Sequence, residues 1–150
     1  MKWRSGSYLI SLVSASTHTR ILRSSGVLLI LLGIVHLVAT PHIASLIRHS
    51  TSVEAANMLV PPMLLNHVLV GVLLLPLGWL ILYAARHSAS RVAWAQVVVR
   101  TTAVTVATLP VILLALMGFR YFDAPLFVLG AALVTAAAVA LLFAAFSRVT

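Results

Sequence analysis

The chain contains no cysteine. That absence removes disulfides, thiolate metal sites, a cysteine nucleophile and S-acylation. It contains one lysine, Lys2, which lies ahead of every long apolar run. A retinal-type Schiff base within a membrane is thereby excluded, as is a buried catalytic lysine. Acidic residues number two, Glu54 and Asp123, and neither falls inside an apolar run. A proton relay through membrane carboxylates therefore lacks its parts. A Ser–His–acid triad lacks an acid behind its histidine and a serine in a nucleophile turn. No glycine-rich phosphate loop is present. These absences lean against an enzyme.

Charged residues make up 8% of the chain, against about a quarter in soluble domains. Such a chain cannot cover a water-facing surface. What is there instead is hydrocarbon: 62% of the 150 residues are hydrophobic and the mean hydropathy is +1.13. Lipid is the expected solvent and the expected partner. The length suits a single membrane domain. The net charge of +8 does not point to nucleic acid, because the basic residues stand singly between apolar runs, as topology signals do.

Residues 1–23 are rich in Ser and Arg and free of acid. They share features with secretory and transit peptides but fit neither. The reading adopted is an interfacial, amphipathic N-terminal segment. The remainder, 24–150, reads as an all-α, integral membrane bundle of four transmembrane helices. The spans fall at about 24–40, 62–84, 95–117 and 124–146. Pro41 is expected to end the first, because the residue before a proline disfavours helix. Residues 41–60 read as an outer loop, partly helical. Pro61 and Pro62 are expected to start the second span, where a missing N–H costs nothing. Pro76 should kink it. Asp123 is placed to cap the fourth.

Orientation follows from counting Lys and Arg. Lys2, Arg4, Arg20, Arg23, Arg86, Arg91 and Arg148 flank one side, and Arg48 and Arg120 the other. Seven against two predicts that the N- and C-termini are cytoplasmic, in a plasma or inner membrane. In the fourth span Ala132, Ala136, Ala140 and Ala144 form a small-residue stripe. It can serve a dimer or packing within the monomer's own bundle, and the second is favoured.

Ionisable groups inside spans are costly, and three occur: His36, His67 and Arg100. Arg100 is shallow enough for its side chain to reach the headgroups. His36 lies roughly 6 Å below the outer surface and His67 roughly 7–8 Å, on adjacent antiparallel spans. Each shares a helical stripe with two glycines: Gly26 and Gly33 for His36, Gly71 and Gly78 for His67. Those stripes are expected to face each other, so both imidazoles point inward.

Two inward imidazoles are candidate ligands for haem iron, copper or zinc, with His42, Met63 and Asn66 nearby. The simpler reading is cross-helix hydrogen bonding to Asn66, Thr40 or a backbone carbonyl. The leading functional expectation is a non-catalytic subunit or accessory factor of a membrane complex, or a homo-oligomer. The alternatives are a haem b or copper redox protein using His36 and His67, and a small oligomeric transporter with helices broken at Pro76 and Pro110.

Overall fold

The computed structural model describes residues 14–88, 90–118 and 125–147. They form four helices: α1 (Ala15–Ser50), α2 (Val53–Ser88), α3 (Ala93–Met117) and α4 (Pro125–Phe146). Each is long and apolar enough to cross a membrane. The chain is thus all-helical, with four candidate spans in one bundle. Each helix packs on its neighbours in the chain, and α1 also packs on α4 to close a ring. Leu22 and Leu29 from α1, Leu74 and Ile81 from α2, Val99 from α3 and Leu141 from α4 are fully enclosed at its centre.

Local chemistry sets the helix ends. Ser14 is extended, and its hydroxyl accepts the Thr17 N–H at 3.3 Å. The Ser52 hydroxyl accepts the Ala55 N–H at 3.3 Å and starts α2. Gly118, at φ 56°, closes α3 by donating its N–H to the Leu114 carbonyl. α4 begins at Pro125, a first-turn position that proline tolerates. Asp123, the expected cap, lies outside the described residues, as do residues 1–13 of the expected N-terminal segment.

The expected facing glycines do meet. A Cβ on Gly26 would lie 2.9 Å from the Gly78 carbonyl oxygen, and one on Gly78 only 2.6 Å from the Gly26 oxygen. One turn-pair further along, a Cβ on Gly33 would lie 2.9 Å from the Gly71 oxygen. α1 and α2 therefore touch backbone to backbone, a separation closed to any larger residue.

The proline expectations need correction. Pro41 does not end α1, which runs on to Ser50. Pro61 and Pro62 do not start α2, which begins at Val53. Residues 41–60 are therefore almost wholly helical, not a loop. The reason is packing: Ala44 of α1 is buried against Ala56 and Val60 of α2, flanked by Ile47 and Leu64. This second small core keeps both helices continuous through positions where proline removes a backbone donor. Segment 15–23 is likewise continuous with α1, and its His18 and Leu22 are buried in the bundle.

The consequence is a bundle of unequal lengths. α1 and α2 have 36 residues each, about 54 Å at 1.5 Å per residue. α3 and α4 have 25 and 22, about 37 and 33 Å. A hydrocarbon layer is about 30 Å thick. The hairpin of α1 and α2 therefore projects beyond α3 and α4 at its 50–53 tip.

Candidate functional site

Two histidine sites stand out, one toward each end of the four-helix section. The first is the pair expected from the sequence. The glycine contacts bring α1 and α2 so close that the His36 and His67 rings touch, with centroids 4.7 Å apart and planes tilted by 37°. His36 Nδ1 donates to the Leu32 carbonyl at 2.9 Å, one turn back in its own helix. A carbonyl can only accept, so the proton is on Nδ1 and the lone pair on Nε2. The Thr40 hydroxyl donates to the His36 carbonyl at 2.8 Å. His67 Nε2 is buried and has no hydrogen-bond partner.

The favoured expectation of cross-helix hydrogen bonds for this pair is not met. His36 bonds within α1, and Asn66 is exposed. Met63 is 53% exposed, and His42 also faces outward, so neither joins the imidazoles. Ring contact replaces the expected polar bridge because the glycine contacts draw α1 and α2 together beside the two rings.

The same contact bears on cofactor chemistry. Two imidazoles on opposite faces of one haem, each nitrogen about 2 Å from the metal, need ring centroids about 6 Å apart. At 4.7 Å, in contact, His36 and His67 leave no room for a porphyrin between them. A copper or zinc ion at the ring edges would meet two nitrogens. Among the described residues no group of three His, Cys, Asp or Glu gathers around an ion.

The second site was not legible in the sequence. It lies where α1 starts, α2 meets α3, and α4 ends. His18, 3% exposed, reaches α4: its Nε2 donates to the Ala144 carbonyl at 3.0 Å. Arg100 Nε donates to the next carbonyl, Ala145, at 3.4 Å, and its guanidinium lies 5.8 Å from the Phe146 ring centroid. The last four carbonyls of a helix have no partner within it. No glycine stands at the end of α4 to form a local cap, so side chains from α1 and α3 supply one. Arg100 does reach toward the helix end as expected, but to a protein carbonyl.

Beside these groups the α2–α3 turn closes. The Arg91 N–H donates to the Ser88 carbonyl at 3.0 Å and the Val92 N–H to the His87 carbonyl at 3.3 Å. This is a helix-terminating turn with Arg91 in the left-handed position, φ 56°, where glycine is usual. The rings of Tyr83, His87 and Trp94 cluster around it at 5.3–5.9 Å. α3 then begins at Ala93, and Val92 ahead of it offers no side-chain cap to its first N–H groups. His18, Ser88, Arg91, Gln96 and Arg100 thus line a cavity of about 530 Å³. The only advance signal was His18 itself, an imidazole set among Thr and Arg just ahead of an apolar run.

The small-residue stripe is also corrected. Ala144 is buried, but Ala132 and Ala136 are exposed and Ala140 is half-buried. α4 packs into the bundle through Val134, Ala137, Ala138 and Leu141 instead. The outward alanines line an apolar groove of about 1,140 Å³ against Pro110, Val111 and Leu114 of α3.

No protein-family model matches the chain, and neither a curated protein nor a solved structure is detectably similar to it.

Proposed function

We propose that this chain is a multi-pass membrane protein with both termini cytoplasmic, in a plasma or inner membrane. It acts as a non-catalytic subunit or accessory factor of a larger membrane assembly. The observation that carries this reading is the outward stripe of Ala132, Ala136 and Ala140 in the α3–α4 groove. In lipid, helices associate through close packing, and small residues in a row are what a partner helix fits against. The stripe is not used by the chain's own core. The orientation is supported by the arginines: Arg20, Arg23, Arg86 and Arg91 flank the end where α2 meets α3, and Arg100 turns toward it. The redox alternative is not favoured, since the histidine rings occupy the space a haem would need.

The absence of cysteine makes the test clean. Ala136→Cys gives a chain with a single thiol, on the proposed interface. In native membranes, a bifunctional thiol–amine reagent should join it to one protein of defined mass, a different subunit or a second copy. Leu73→Cys, on an exposed part of α2, is the comparison. Equal cross-linking of both, or none from Ala136→Cys, would sink the proposal.

A further inference from the structure

We infer that the cavity at the α2–α3 turn binds a phosphate-bearing anion, of the kind carried by an anionic phospholipid headgroup. Its volume of about 530 Å³ lies within the range of about 300–1,000 Å³ typical of small-ligand sites. Two arginines, Arg91 and Arg100, line it. Arg100 commits its Nε to the Ala145 carbonyl and makes no other hydrogen bond among the described residues, so its two amino groups remain for a ligand. The planar fork of arginine matches the oxygen spacing of phosphate.

The backbone adds to the field. α3 is a 25-residue helix that starts with its first N–H groups uncapped by any side chain. A helix N-terminus carries partial positive charge and favours phosphate. Ser88 and Gln96 add neutral donors. Two of the acceptors in the wall, the Ala144 and Ala145 carbonyls, are already engaged by His18 and Arg100. Among the described residues no carboxylate lines the cavity: Glu54 opens α2, at the opposite end of that helix.

His18 supplies the independent observation. It is 97% buried in this wall, and with Nε2 bonded to Ala144 its Nδ1 has no partner. A buried polar atom left unpaired is costly, and a P–O–H donor that reached this nitrogen would remove that cost. Arg91 carries a matching cost, since a left-handed backbone is dearer for arginine than for glycine. Basic pockets between membrane helices near a headgroup layer are where anionic headgroups bind.

The test uses the full chain in neutral detergent, with thermal unfolding followed during titration with phosphatidylglycerol, phosphatidylcholine or inorganic phosphate. Phosphatidylglycerol should raise the melting temperature saturably, and phosphatidylcholine should not. A rise with inorganic phosphate as well would make the free anion sufficient; a rise with the lipid only would assign the site to headgroups. Either result supports the site. Arg91→Gly, which suits the turn's backbone, and Arg100→Gln should each weaken the apparent affinity about tenfold, the loss expected for one charge-assisted contact. Arg20→Gln with Arg23→Gln, on an exposed part of α1, should leave it within a factor of two. The inference is overturned if no anion shifts the transition, if Arg91→Gly and Arg100→Gln respond like the unaltered chain, or if the Arg20 and Arg23 changes weaken binding equally.

Discussion

His18 and His36 belong to the same helix, 18 residues and about 27 Å apart, yet α1 uses them in opposite ways. His18 bonds to a carbonyl 126 residues away in α4 and so ties the first helix to the last. His36 bonds to a carbonyl in its own preceding turn and presents a ring face to His67. At the His18 end a cavity opens between the helices, and polar side chains line it. At the His36 end the glycines have already brought α1 and α2 together, and the imidazoles fit into what space is left. An imidazole in an apolar helix is thus a tether where helices diverge and a packing element where they converge.

The contrast is most readily broken at the convergent contact. Gly78→Ala places a methyl 2.6 Å from the Gly26 carbonyl oxygen, and backbone cannot yield as a side chain can. The α1–α2 hairpin must open, and we expect a loss of about 1–3 kcal/mol, read by thermal unfolding in detergent. Gly130→Ala on α4 meets nothing within 4 Å and should gain about 0.5–1 kcal/mol from helix preference. Equal effects from the two would show that close approach is not what holds the hairpin.

A smaller effect is expected at the tether. His18→Leu keeps the bulk but withdraws the donor to Ala144, and should cost about 1–2 kcal/mol. Limited proteolysis should then cleave near 144–147 sooner, because α4 has lost part of its terminal cap. An unchanged cleavage rate would mean that Arg100 alone suffices.

The smallest effect is expected at the packed pair. His67→Leu deletes a buried nitrogen that has no partner, so stability should hold or rise by up to about 1 kcal/mol. A loss as large as that of His18→Leu would show that His67 has a polar role which ring contact with His36 does not describe.

Much of the fold was legible because its signals are local. Four apolar runs give four helices, and Gly26, Gly33, Gly71 and Gly78 at helical spacing named the α1–α2 interface and brought His36 and His67 together. What misled was also local. Pro41 and Pro61–Pro62 are strong punctuation within their own turns, but the contact of Ala44 with Ala56 and Val60 lies between segments and carries no pattern along the chain. The alanines at 132, 136, 140 and 144 read as one stripe, and which side of α4 meets the bundle depends on neighbours from α1 and α3.

By itself, then, the sequence determined the solvent and the elements. Hydropathy and the scarcity of charge are sums over residues, and the glycine stripes repeat within single helices. Only the tertiary structure decided how far the hairpin projects, which face of α4 stays open, and that His18, Ser88, Arg91, Gln96 and Arg100 share one cavity. Those residues come from α1, the end of α2, the turn and α3, against the end of α4. Nothing in their spacing relates them, because they meet only where the four-helix ring closes.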